Sequence, residues 1–356
     1  MLRCWAGGGA GGTPKNFLRS QVIAHRLSWA AAVCFGAWAI GRLTEADQLP
    51  AVGAPAAALL PFTPQVAAAA WASALLARDQ RTRAVSALAA ATLTATLVPR
   101  AIARTQPLAT GPVLRVLTAN LLVGRAAAEP LIELAARTHA DVLFVQELSE
   151  KAMYRLARAG IGDQFPHLIS DVGTEEERGN GIYAKYPMRI CGPMLPTSSV
   201  QPIVALAFPP MPVRLVSVHM FTPKQPWSRP GVSRWRDDLA VLAGLPVPCG
   251  PADPPTIMAG DFNSTLDHAG FRQVLGARLA DAARETGRGL TPTWRPAPYW
   301  PVALLAIDHI LVDRRCAVLR TSVHRLPGTD HRAVFAQVRL PELLTKQGQN
   351  PNNFCA

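Results

Sequence analysis

Six short motifs along this chain end apolar runs on residues able to do chemistry. Asn120 closes LRVLTAN, Glu147 closes DVLFVQE and His219 closes RLVSVH. Asp261 and Asn263 sit in IMAGDFNST, Asp308 in AIDHILV, and Asp330 and His331 in GTDHRAV. Carboxylate and amide oxygens suit a hard divalent cation, which keeps several waters and needs few protein ligands. Imidazoles and a further carboxylate suit proton transfer and stabilisation of developing charge. Such a set could neutralise a phosphoester, place an activated water in line and stabilise the leaving oxygen.

Taken singly, each motif has a plainer explanation. An Asn after a strand is usually a turn residue. A Glu ending an apolar strand is usually solvated, a His within one is usually a structural hydrogen-bonder, and GDFN can be a turn whose Asp caps a helix. The combination points elsewhere, because a polar residue recurs at the end of each apolar strand. Side chains at adjacent strand ends converge on one rim of a sheet, on a rigid frame.

The elements that must hold them follow from the pattern after Val113. Runs at Val113–Ala119, Val142–Gln146, Gly181–Lys185, Val204–Phe208, Arg214–His219, Thr256–Ala259, Ile307–Val312 and Ala333–Arg339 read as strands. Glu129–Thr138, Arg234–Ala243 and Ala269–Val274 read as helices. Many strands with few helices between them suggest an α/β fold of two packed sheets flanked by helices. The linear sequence shows no internal repeat.

The ordered run TAN, FVQE, SVH, GDFN, IDH and TDH resembles the endonuclease/exonuclease/phosphatase superfamily, over about residues 113–340. That superfamily includes DNase-I-like nucleases, abasic-site endonucleases, inositol-polyphosphate 5-phosphatases and neutral sphingomyelinases. The resemblance implies a four-layered α/β sandwich of two mixed β-sheets. It also implies roles: Glu147 as main ligand of Mg²⁺ or Mn²⁺, with Asn120 beside it and Asp330 at the metal or just outside it. Asp261 would orient or deprotonate the attacking water, and Asn263 would hold a non-bridging phosphate oxygen. His331 would contact the scissile phosphate with Asp308 orienting it, and His219 would donate to the phosphoryl oxygens.

Three further segments bear on the site. Ser170–Lys185 resembles the family's Gly-rich strand, and its Glu175, Glu176 and Glu177 could support the phosphate-contacting histidine or form a solvated acidic turn. Thr222–Arg236 interleaves Lys224, Arg229, Arg234 and Arg236 with Trp227 and Trp235, which suits either a substrate channel or an anchored loop. Thr293–Trp294 resembles a Thr-Trp pair found in several family branches and reads as part of the site wall.

The first hundred residues are of another kind. Residues 1–106 carry ten Lys/Arg against three Asp/Glu, and residues 107–356 carry 26 against 21, so over half of the +12 charge is N-terminal. Leu27–Gly41, Leu49–Ala77 and Ala84–Pro99 are uncharged, and a helix needs ~20 apolar residues to cross a bilayer. A soluble hairpin or a signal peptide fits less well, because no helix face carries charge and the apolar segments continue past Gly41. The expected organisation is a basic tail (1–26), a membrane region (27–104) with helices at 27–43, 52–77 and 84–99, a catalytic domain (107–340) and a C-terminal tail (341–356). Basic residues before Leu27 and at Arg78–Arg83 place those loops in the cytoplasm, which exports the catalytic domain if all three helices insert.

The expected protein is thus a multi-pass enzyme of the cell membrane, partnered by the lipid bilayer and a phosphoester substrate: nucleic acid, phospholipid headgroup or inositol phosphate. A catalytically inactive, membrane-tethered scaffold retaining the fold is the alternative. A transporter is disfavoured by the lack of charge within the apolar stretches. The six cysteines form no CxxC pair and no zinc-spaced cluster, which argues against structural zinc.

Overall fold

Near-continuous apolar runs along the inner strands dictate sheets dry on both faces, and a computed structural model shows two such sheets back to back. The structure describes residues 14–172, 178–192, 195–222, 229–248 and 250–342. Residues 1–13 of the N-terminal tail, residues 343–356 of the C-terminal one, Glu175–Glu177, Lys224 and Trp227 lie outside the described residues. The chain divides into two compact units, Met1–Leu43 with Thr63–Thr94, and Thr44–Phe62 with Ala95–Ala356.

The first unit is helical. It contains α1 (Pro14–Leu43), α3 (Thr63–Leu76) and most of α4 (Gln80–Ala101); α2 (Gly53–Leu59) belongs to the second unit. Buried alanines (Ala32, Ala67, Ala70, Ala74, Ala89, Ala90) let these backbones approach closely, as small residues do between helices in lipid. Trp38 donates to Thr63 Oγ1 (3.1 Å) and Trp71 to Thr94 Oγ1 (3.0 Å), so the indole N–H groups are satisfied internally. Leu75, Leu76 and Leu88 are largely exposed. Among the described residues, three segments are long and apolar enough to cross a membrane: Gln21–Leu43, Gly53–Leu76 and Gln80–Ala101.

The second unit is the α/β sandwich. One sheet has the order β11 (Ala317–Arg325), β12 (Arg332–Arg339), β1 (Val113–Asn120), β2 (Val142–Gln146), β4 (Asn180–Ala184), β3 (His167–Asp171). The other runs β5 (Met188–Ile190), β6 (Ile203–Leu206), β7 (Val213–His219), β8 (Thr256–Asp261), β10 (Asp308–Asp313), β9 (Leu279–Asp281). Leu114 and Val116 of β1 face the inter-sheet core with Leu215, Ile257 and Ile310. Leu117 and Ala119 face the other way, onto α5 (Ala128–Arg137), α6 (Glu150–Arg158) and α7 (Ile161–Gln164). This is the period-two alternation of a strand buried on both faces. On the outer face of the second sheet, α8 (Arg229–Ala243) and α9 (Ala269–Leu275) cover Val216, Val218 and Met258, and α10 (Ala282–Glu285) follows β9.

Each sheet holds a single parallel pair at its centre, β1 with β2 and β7 with β8, and is otherwise antiparallel. That arrangement decides where the chemistry goes. The C-terminal ends of a parallel pair share one edge, and an antiparallel neighbour brings its own start to the same edge. Asp261 is therefore in register with His219 on one side and Asp308 on the other. Asn120 pairs with Gln146, the residue before Glu147. All eight singled-out residues are thereby delivered by strand ends or the turns just after or before them.

Candidate active site

A cavity of about 600 Å³ opens where these ends meet, lined by Glu147, His219, Asp261, Asn263, Asp330 and His331 among others. Asn120 is fully buried beside it and ties two carboxylates together, donating from Nδ2 to Glu147 Oε1 (3.1 Å) and Asp261 Oδ2 (2.9 Å). Its Oδ1 accepts from the Leu122 N–H (2.9 Å). An amide flip would present the oxygen to the carboxylates instead, and with it a cation ligand.

Local backbone is bent to serve this arrangement. Glu147 has φ 53°, Asn263 φ 45°, Leu122 φ 47° and Val123 φ 52°, all in the left-handed region that non-glycine residues avoid. A β-branched Val there is a true outlier, and such strain collects at functional sites. The bend aims the Val123 N–H at Glu147 Oε2 (2.7 Å). Gly260, with φ 150°, has no substitute: a Cβ would stand 1.8 Å from the Val218 carbonyl oxygen, so β7 and β8 could not pair closely before Asp261.

The charged groups form a chain. His331 Nδ1 lies 3.0 Å from Asp308 Oδ2, its Nε2 lies 3.7 Å from Asp261 Oδ2, and its Nε2 is 4.0 Å from Asp330 Oδ1. Burial alone would lower the His331 pKa, but the Asp308 and Asp261 carboxylates raise it well above the usual histidine range. The two carboxylates thus favour the charged form of the ring. Burial pushes Asp261 up into the neutral range, partly offset by His331. Burial also raises Glu147, against the pull of its Asn120 hydrogen bond. His219 stands on the other side, Nε2 3.8 Å from Glu147 Oε1.

Asp261, Asp308 and His331 lie close enough together to hold an ion, within 4.8 Å. The Asp308–His331 contact already satisfies those two, however, so the trio reads better as an ion-paired relay. The other two carboxylates in the cavity are Glu147, each of whose oxygens accepts one hydrogen bond, and Asp330. Asp330 Oδ2 accepts from Trp294 Nε1 (3.1 Å), while its Oδ1 is buried without a hydrogen-bond partner. A buried bare carboxylate oxygen beside a second, desolvated carboxylate is a costly arrangement that a divalent cation would relieve. Oxygen donors of this kind fit Mg²⁺ or Mn²⁺.

Several supporting residues carry little sequence signal. Gln201 clamps the His219 backbone, accepting its N–H (2.7 Å) and donating to its carbonyl (2.8 Å). Asn180 donates to the Ser217 and Val200 carbonyls (3.1 Å each), linking the two sheets behind that clamp. Thr329 donates to the Asn120 carbonyl (3.0 Å) and accepts from the His331 N–H (3.1 Å). Thr293 Oγ1 accepts from the Ile307 and Asp308 N–H groups (3.1 Å each), and Trp294 lines the cavity, so the Thr-Trp pair sits at the site wall. A lone Gln or Thr in polar surroundings gives no pattern to read. In the Trp-containing segment after His219, Trp235 is buried and donates to Ser264 Oγ (3.1 Å), and Arg234 stacks over Phe221 at 5.2 Å. Trp235 is thus core, an anchor and not a channel lining.

The profile of the family described as Endonuclease/Exonuclease/phosphatase matches residues 117–331. Among solved structures, an endonuclease/exonuclease/phosphatase from Beutenbergia cavernae DSM 12333 is similar, with 19% identity and a TM-score of 0.51 over 65% of this chain and 72% of that one. A humanized TDP2 from D. rerio is similar at 19% identity and a TM-score of 0.50, over 64% of this chain and 98% of that one. Both likenesses concern the fold. No curated protein matches the sequence significantly.

Proposed function

The chain belongs to the Endonuclease/Exonuclease/phosphatase family, whose profile covers more than half of it, and on that premise we propose a membrane-anchored, divalent-metal-dependent phosphoester hydrolase. One observation carries the reading: the Asp308–His331–Asp261 chain of charges ends in the same cavity as the Glu147 carboxylate and that of Asp330, whose Oδ1 is buried without a hydrogen-bond partner. Glu147, Asp330 and Asn120 would hold Mg²⁺ or Mn²⁺. Such an ion, when bound, neutralises phosphate charge and favours in-line attack by water.

The remaining steps belong to side chains. Asp261, raised towards neutrality, takes the proton of the attacking water at Oδ2. Asn263, whose Nδ2 donates to the Met220 carbonyl (2.9 Å), fixes the adjacent wall and offers its second amide hydrogen to a non-bridging oxygen. The His331 imidazolium and His219 donate to phosphoryl oxygens as charge grows, with Asp308 fixing the ring orientation of His331. An inactive scaffold has no need of a strained Glu147 backbone or a buried imidazolium.

Membrane anchoring rests on the three apolar helices. The catalytic domain, about residues 107–340, is proposed to face away from the cytoplasm, and two features support that side. Three crossings that start from a basic tail in the cytoplasm, with the basic Arg78–Arg83 loop on that same side, end outside. Cys191 is disulfide-bonded, which is at home in an oxidising compartment. The test is turnover of a panel (supercoiled DNA, abasic duplex, sphingomyelin, an inositol polyphosphate, bis(p-nitrophenyl) phosphate) by the full chain with Mg²⁺ and then EDTA. Metal-dependent turnover of at least one substrate is expected, and none on any of them would move the weight to the scaffold.

A further inference from the structure

Part of the active-site cavity wall comes from outside the family-matched region. Ala57, Ala58, Pro61 and Phe62 line it alongside Glu147, His219, Asp261 and His331. These four belong to the Thr44–Phe62 segment, which lies in the same compact unit as the sandwich. The segment is bolted to the catalytic loop at several points. His268 Nε2 stands 2.8 Å from the Ala57 carbonyl oxygen, Asp47 Oδ2 accepts from the Ala269 N–H (2.8 Å), and Arg272 pairs with Glu45 (2.8 Å). His268 follows Asp261 by seven residues, and burial holds its pKa low, so the neutral ring donates to Ala57 and accepts from Thr265 (3.0 Å). The wall is therefore fixed relative to the reacting groups.

Its chemistry is apolar throughout. Met220 and Phe221 extend the same surface on the sandwich side, and Arg178 is the one Arg or Lys lining the cavity among the described residues. A polyanionic substrate such as nucleic acid or an inositol polyphosphate needs several cations along its path. It would gain nothing from an Ala-Pro-Phe wall. A phosphoester carrying a hydrocarbon group gains from that wall through burial. The four wall residues also lie within Gly53–Leu76, one of the segments long and apolar enough to cross a membrane, so the wall is made of chain compatible with lipid.

We propose that the cavity takes a lipid phosphoester, its phosphate at the Glu147–Asp261–His331 centre and the first carbons of its hydrocarbon chain against Ala58, Pro61 and Phe62. This inference rests on the hydrolase reading for the identity of the phosphate centre and on the wall for the lipid. The test separates the two. Full-length protein in lipid nanodiscs with Mg²⁺ is titrated calorimetrically with methyl, butyl, hexyl and octyl phosphate, and empty nanodiscs correct for partition. Buried methylenes raise affinity by about threefold each, so octyl phosphate should bind at least ~30-fold tighter than methyl phosphate. Phe62→Asn and Ala58→Gln should each flatten that series, whereas Val52→Asn, exposed on the same segment, should keep it. Equal affinity along the series, or a series unaltered by both wall variants, overturns the lipid assignment even if phosphoesters are hydrolysed. A steep, wall-dependent series in a protein that hydrolyses none of the panel keeps the lipid site and overturns the hydrolase reading alone.

Discussion

His331 is buried between two carboxylates, Asp308 against its Nδ1 and Asp261 against its Nε2. Replacing it by Ala leaves Asp261 and Asp308 facing each other without a cation between them. We therefore expect His331→Ala and Asp261→Asn each to lower kcat by at least ~10²-fold, measured on whichever panel substrate turns over. Trp294→Phe removes the hydrogen bond that aims Asp330, and outer contacts to a metal ligand are worth about 10- to 100-fold in affinity. Activation by Mg²⁺ should shift to about tenfold higher concentration with saturated kcat little changed. An unchanged Mg²⁺ titration would remove Asp330 from the metal site. A buried histidine away from the cavity gives a stability prediction of definite sign. Burial alone would lower the His309 pKa, but the Asp281 carboxylate 2.7 Å away raises it. A pKa raised by folding contributes stability that is complete below the unfolded value of about 6.5 and fades as pH rises through the folded value. The Tm lost on Asp281→Asn should thus be larger at about pH 6 than at about pH 9, and an equal loss at both would contradict the pairing.

Elements explain why so much of the site was legible and where legibility stopped. The eight strands read from apolar runs are the interior strands of the two sheets. The four missed, β3, β5, β9 and β11, are the four edges. Edge strands are short or half-exposed and lack a continuous apolar run, as the exposed Arg189 and Ile190 of β5 illustrate. Because the proposed catalytic groups sit at or beside interior strand ends, their order along the chain is readable, and with it the rim they share. α6 was missed although amphipathic, with Ser149 capping its start (3.2 Å). The apolar stretch from Leu49 to Ala77, read as one membrane span, holds an unbroken helical run of α2, a 3-10 segment at Leu60–Phe62 and α3, and Gly53–Leu76 is long and apolar enough to cross as one. Pattern alone cannot separate an apolar wall from an apolar span. α3 alone is 14 residues, about 21 Å at the helical rise, a length that a locally thinned bilayer accommodates. Arg100 near the end of α4 forms a buried two-pronged pair with Asp267 (2.6 and 2.8 Å), in the loop that carries Asp261. Arg100→Met strands a fully buried carboxylate and should cost about 3–5 kcal/mol of stability by denaturant unfolding. A loss below 1 kcal/mol would mean that the pair is open to water.

At the scale of the whole molecule, two kinds of sequence share one chain: a charge-poor helical unit and a sandwich whose strand ends gather four carboxylates and two histidines. If the sandwich is exported, the Cys191 thiol should resist alkylation until reductant is added, and protease added to intact cells should cut within residues 107–340. Full alkylation without reductant would place the domain in the cytoplasm. The central claim, that this gathering is a hydrolytic centre, is tested most directly by the initial rate on bis(p-nitrophenyl) phosphate. The full chain and its Asp261→Asn variant are compared with Mg²⁺, with EDTA, and with Mg²⁺ restored. The account predicts turnover that EDTA abolishes, Mg²⁺ restores and Asp261→Asn lowers by at least ~10²-fold. Turnover indifferent to EDTA, or equal in the variant, would contradict it.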